Sequence, residues 1–262
     1  MDIRLPSVAG TFYPASQEAL HDDVAAYLSA VPPLPRSRPK AIIAPHAGYV
    51  YSGPVAAFGY AAVRPYADQI HRVVLLAPAH RLPFRGLAVP SVDVFRTPLG
   101  DVPVDRAGVD RLLELPAVQT NDRAFDNEHA IEVQLPFLQE VLGEFSLVPV
   151  VVGMADDGDA AEAIEALWNG EETLIVVSSD LSHYLDYQTA RARDARTREA
   201  IERLAPEQLA GDDACGYLPV RGLLSVARAK GMRVETLDMR NSGDTAGPRD
   251  QVVGYGSYAV YP

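Results

Sequence analysis

A chain of 262 residues, 48% hydrophobic and 22% charged, is long enough to bury a substantial core. Its formal net charge of -12 argues against a nucleic-acid groove or an anionic membrane surface, since both need clustered Lys and Arg. One cysteine, Cys215, excludes an internal disulfide and any zinc site built from cysteine alone.

The opening stretch, MDIRLPSVAGTFYPAS, has neither a basic start nor a long apolar run, so no secretory signal is expected. No later apolar stretch approaches the roughly 18–20 residues that span a bilayer. A soluble cytoplasmic protein is therefore expected. An N-terminal helix leads through the Pro-rich linker VPPLPRSRPK to AIIA at 41–44, a short apolar run of the kind that forms a strand covered on both faces. PHAGYVYSG follows, then a helix expected over 54–63 with Pro54 at its favoured first position. A second buried strand, 73–77, ends in LAPAH. The Pro- and Gly-bearing alternation PFRGLAVPSVDVFRTPLGDVPVD predicts a β-hairpin or a small antiparallel extension. Beyond it come a helix over 128–142, a strand at 147–152, an acid-capped helix over 159–168 and a strand at 174–177. Helices over 187–204 and 219–230 follow, and the chain ends as strand, polar loop, strand. This alternation predicts one α/β domain, 1–262, with a largely parallel or mixed central sheet flanked by helices.

Ligands of open α/β sheets bind beyond the carboxyl ends of the strands. His46, His80 and His183 each stand just past such an end, whereas His21 and His71 read as surface residues. Three neutral imidazoles in one place can ligate a metal or move a proton, although each alone can also cap its strand. Beside His46, Ala47 and Gly48 permit close approach of a ligand, and Tyr49 and Tyr51 offer phenol groups or simple packing. In SSDLSHY, Asp180 can fix the tautomer of His183, with Ser178 and Ser179 holding Asp180 in turn. His129, at the start of FDNEHAIEVQLPFL, suits either a polar pocket group or a helix cap, with Glu128 and Glu132 on one helical face. Asp244, in NSGDTAG, is either an ordinary turn residue or the carboxylate of a two-histidine, one-carboxylate iron site. Cys215, ahead of a helix, reads as a small packed residue. No G-x-S-x-G elbow and no H-E-x-x-H helix is present.

Taken in order, PHAGYVYSG, LAPAH, DNEHAIEVQLPFL, SSDLSHY, ACGYLPV and NSGDTAG…VVGYGSYAV resemble the Memo family, in bacteria and archaea also labelled AmmeMemoRadiSam system protein B. The resemblance runs over nearly the whole chain. It implies a fold like that of the class III extradiol dioxygenases, with a pocket at the strand ends. It further implies metal ligands at His46 and His80, an acid/base histidine at His183 beside Asp180, and a third ligand at Asp244 or Thr245, where animal members carry a cysteine. The implied cofactor is Fe(II), with Cu or Zn as alternatives. The implied activity is O2-dependent oxidation of a small, phenolic molecule, with Tyr49, Tyr51 and His129 lining the substrate space. A non-catalytic metal-, ligand- or peptide-binding adaptor is the alternative, and a zinc-dependent hydrolase a weaker one. The implied partners are a small-molecule ligand, the system's protein A and radical SAM proteins.

Overall fold

The computed structural model describes residues 1–34, 37–156 and 158–262. In chain order these form β1 (Ile3–Arg4), α1 (Gln17–Ser29), β2 (Ala41–Ala44), α2 (Tyr49–Val63), β3 (Arg72–Pro78), β4 (Leu87–Val89), β5 (Val94–Thr97) and β6 (Gly100–Pro103). Next come α3 (Arg106–Leu113), β7 (Val118–Thr120), α4 (Leu135–Leu142), β8 (Ser146–Val152), α5 (Asp159–Ala166), β9 (Thr173–Ser178) and β10 (His183–Leu185). The last elements are α6 (Tyr187–Glu202), α7 (Tyr217–Ala229), β11 (Arg233–Asn241), α8 (Ser242–Thr245) and β12 (Val252–Tyr261).

The main sheet runs β10-β12-β2-β9-β3-β8-β4-β7, and β11 also pairs with β12. Its centre, β2, β9, β3 and β8, is parallel, while β12 and β4 join antiparallel, so the sheet is mixed. The four apolar runs read from the sequence are these central strands. Their side chains are buried almost throughout, because helices cover a parallel sheet on both faces. The expected hairpin is β5–β6, turned between Thr97 and Gly100 and joined by β1. The expected terminal strand–loop–strand is β11 and β12, with α8 in the loop. Among the described residues, no helix is long and apolar enough to cross a membrane.

Two helix starts depart from expectation. Helix α2 begins at Tyr49, which leaves Pro54 inside it rather than first. The missing N–H of Pro54 costs one backbone bond. Burial of Tyr49, Ser52 and Val55 against the core outweighs that loss. The helix expected over 128–142 is α-helical only from Leu135, with Pro136 in its first turn and a single 3-10 turn at Glu132–Gln134 before it. Residues 128–134 instead spend their polar groups on neighbours, so Glu128 and Glu132 do not share a helical face. Glu128 meets His80, whereas Glu132 accepts from Arg4, Ser7, Val8 and Tyr13.

Registration of the central strands sets up the site. Ala44 lies opposite Ser178, and Val177 opposite Leu76. Strands β2, β9 and β3 therefore end together, and the residues that follow each one meet at the same edge of the sheet.

Candidate functional site

At that edge lies a pocket of about 520 Å3, within the usual range for small-molecule sites. His46, His80, His129, His183 and Asp180 all line it, with Phe12, Tyr51 and Tyr255 among the aromatic walls. Three sequence repeats thus do deliver three histidines to one place, and the segment before α4 adds a fourth. The rings of His46 and His80 stand 5.1 Å apart, edge to face, and that of His129 is 5.4 Å from His46.

The hydrogen bonds decide which nitrogens face the ligand. Ser178 Oγ lies 2.7 Å from the Ala130 carbonyl, which can only accept, so the serine proton goes there. His46 Nδ1, 2.8 Å from the same Oγ, must then carry its own proton and donate it. Burial, followed by the neighbouring His80, pushes His46 well below the usual histidine range, so its ring is neutral and Nε2 keeps a bare lone pair. His80 follows the same logic. Its Nδ1 is 3.0 Å from Glu128 Oε1 and its backbone N–H donates to Glu128 Oε2 at 2.6 Å. Burial pushes Glu128 up. The bonds and charge of His80 and the Ala130 N–H outweigh it and hold the carboxyl down to about 2. An ionised carboxylate only accepts, so His80 Nδ1 donates, and in the neutral ring Nε2 is the nitrogen left bare. His183 Nδ1 donates to the Leu181 carbonyl at 2.8 Å, which frees its Nε2 as well.

Cys215, expected as a small packed residue, also stands beside the histidines. Its Sγ stands 3.2 Å from His46 Nε2, and His46, His80 and Cys215 form one set of converging ligand atoms. With metal bonds of roughly 2.3 Å to sulfur and 2.0 Å to nitrogen, that separation corresponds to a ligand–metal–ligand angle of about 95°. Burial, then the nearby Asp180, pushes the free thiol up to about 12. Gly216 lets the thiol approach, since a Cβ there would fall 2.7 Å from Ser179 Cβ and 2.8 Å from the Ser178 carbonyl. A second set, His80, Glu128 and His129, shares His80. It is the poorer cradle, because the His80 and His129 rings stack 24° from parallel and their in-plane lone pairs run side by side rather than converging.

Other expected residues are placed differently. Asp244 is outside the pocket: Tyr187 Oη donates to its Oδ1 at 2.6 Å, and the Asn241 N–H donates to its Oδ2 in a capping box that starts α8. Thr245, the neighbouring alternative, bonds the Ser242 carbonyl. Tyr49, 3% exposed, packs against Phe137 and donates to the Val133 carbonyl, so it is a core residue. Tyr51, 39% exposed, stands at the pocket wall as expected. Asp180 takes the His46 backbone N–H at 2.7 Å, while Leu181 rather than Asp180 fixes the ring of His183. Ser179 Oγ bonds the Asp180 carbonyl, not its carboxylate. His129 Nδ1 is buried without a hydrogen-bond partner, and burial chiefly pushes this ring down to about 4.

Fold and pocket together define an α/β protein with a histidine-rich, metal-competent site at the ends of its central parallel strands. The sequence profile described as Memo-like protein matches residues 4–259. A MEMO1 family protein of Aquifex aeolicus is 36% identical over 97% of this chain and 98% of its own, and one of Methanococcoides burtonii is 35% identical over 98% and 100%. The chain belongs to the Memo-like family. A solved structure, an uncharacterized protein from Escherichia coli K12, superposes with a TM-score of 0.53 at 14% identity, covering 83% of this chain and 99% of that one. That likeness is one of fold alone.

Proposed function

We propose that the pocket holds a transition-metal ion on His46 Nε2, His80 Nε2 and Cys215 Sγ and acts beside it on a small phenolic molecule. The observation that supports this is the pair of bare Nε2 atoms, each fixed by a partner at Nδ1, beside a thiol 3.2 Å from one of them. A bound ion supplies a Lewis-acid centre with open positions, and Fe(II) adds affinity for dioxygen. The chain supplies the rest. Phe12, Tyr51 and Tyr255 offer flat walls for a planar ligand. Among the described residues no Lys or Arg lines the pocket, so the cationic help they offer a phenolate comes from the ion and the histidines. His183 lines the pocket and donates its Nδ1–H to the Leu181 carbonyl; its neutral ring would take the phenolic proton at Nε2 and return it to the product. Oxidation by O2 with both oxygen atoms entering a cleaved catechol ring needs no further reductant, which suits a pocket with no second cofactor motif in the sequence.

Anaerobic Fe(II) titration of the wild type and of His46→Ala, His80→Ala and Cys215→Ala tests the ligand set. Each variant is expected to lose affinity, and equal binding by all four proteins overturns it. Oxygen consumption by the loaded protein with a catechol panel then tests turnover. A second reading, a metal-holding protein without turnover, is favoured by the thiol, because a thiolate donor suits Zn or Cu(I) better than a carboxylate would. Tight zinc or copper binding without oxygen uptake is its signature.

A further inference from the structure

Residues 128–134 reach the chain segments that carry His46 and His80, and the end of β9 between them. Glu128 grips His80, the Ala130 carbonyl takes the Ser178 proton, and the Val133 carbonyl receives Tyr49 Oη at the start of α2. The segment ends at Gln134, 1% exposed, which does not line the histidine pocket and touches none of the three ligand side chains by hydrogen bond.

We infer that Gln134 is a positioning residue that fixes the ring and backbone of His46 through Ser178 and Pro45. Tyr60 Oη donates to Gln134 Oε1 at 2.6 Å, and the Pro45 carbonyl, which can only accept, sets Nε2 at the other end. From there Nε2 donates to the Pro45 carbonyl at 3.0 Å and to Ser178 Oγ at 2.8 Å. The Pro45 carbonyl belongs to the peptide that leads into His46. Ser178 has one proton and two lone pairs. With its proton on Ala130 and one lone pair filled by Gln134, the remaining lone pair is the one that receives His46 Nδ1–H. Without the amide, the Pro45 carbonyl and one Ser178 lone pair lose their donor, while the Ala130 carbonyl still takes the serine proton. What is released is therefore the position of the His46 ring and backbone, not its tautomer. Tyr60, Gln134 and Ser178 thus form a buried chain that holds His46 Nε2 beside Cys215.

This inference rests on the metal reading for its consequence, but its first readout does not need metal. In nitrogen-15 spectra of the metal-free wild type, His46 should show one tautomer, protonated at Nδ1. Gln134→Met, similar in length but without the amide, should keep that tautomer but broaden the His46 Nδ1–H resonance and speed its exchange with solvent, and should bind zinc about tenfold to a hundredfold more weakly. Leu112→Ala, in α3, serves as a control for general destabilisation. It should lower the melting temperature while leaving both readouts as in wild type. Should Gln134→Met fail to fold, Tyr60→Phe removes the donor to Gln134 Oε1 with one atom lost, and should move the His46 Nδ1–H exchange and zinc affinity in the same direction. An unchanged Nδ1–H resonance and exchange rate in Gln134→Met or, failing that, in Tyr60→Phe overturns the inference. So does an affinity loss no larger than that of Leu112→Ala. Absence of zinc binding by the wild type would overturn the metal reading, and the exchange comparison would still decide the role of Gln134.

Discussion

Replacing Glu128 with Gln removes one charge and almost no volume, yet the geometry around it predicts a large effect. The carboxylate faces three donors: the His80 N–H at 2.6 Å, His80 Nδ1–H at 3.0 Å and the Ala130 N–H at 3.0 Å. An amide has one accepting and one donating end, so either orientation sets an NH2 against an N–H. One orientation also drives the His80 proton to Nε2. Loss of such an outer partner typically weakens metal binding tenfold to a hundredfold, or about 1.4–2.7 kcal/mol. Stability changes with pH in a defined sense. Glu128 is held down to about 2 from 4.5, so its contribution is full above about pH 4.5 and fades as pH falls toward 2. Zinc affinity by calorimetry, with urea midpoints at neutral and acid pH, measures both effects. Wild-type affinity in Glu128→Gln, or a stability gap that stays the same on acidification, refutes the reasoning.

Three further outcomes follow from the same contacts. Because the Cys215 thiol lies at about 12 and His46 is already neutral, metal binding should release one proton, and affinity should rise about tenfold per pH unit near neutrality; a flat profile argues against thiolate ligation. Asp244→Asn should leave metal affinity at the wild-type value, since both oxygens are engaged in capping α8 and bonding Tyr187, and should cost about 1 kcal/mol in urea unfolding. Glu132→Gln should cost about 3–5 kcal/mol, because it leaves Arg4 partly unpaired and disturbs the bonds from Ser7, Val8 and Tyr13. It should also expose residues 4–13 to faster proteolysis, and cleavage at the wild-type rate contradicts that role.

The central strands were legible because four short Val- and Ile-rich runs fit only a doubly covered sheet, and their parallel order explains why His46, His80 and His183 meet. Less legible was what depends on tertiary contact. Residues 128–134 look helical by periodicity, yet Glu128 and Glu132 take long-range partners that a helix would not reach. Asp244 looked like a ligand because it sits on a glycine-bearing loop near the chain end, but Asn241 three residues earlier marks it as half of a capping box. The signal for Cys215 was present in weaker form: the only cysteine of the chain stands directly before a glycine at the start of α7. Nothing local in the sequence says that this turn lies 3.2 Å from His46, which is 169 residues away.

X-ray absorption of the zinc-loaded protein tests the central claim most directly. Ligation by His46, His80 and Cys215 predicts one sulfur at roughly 2.3 Å together with imidazole nitrogens at roughly 2.0 Å. The sulfur should vanish in Cys215→Ala. A shell of nitrogen and oxygen alone in the wild type would contradict the account.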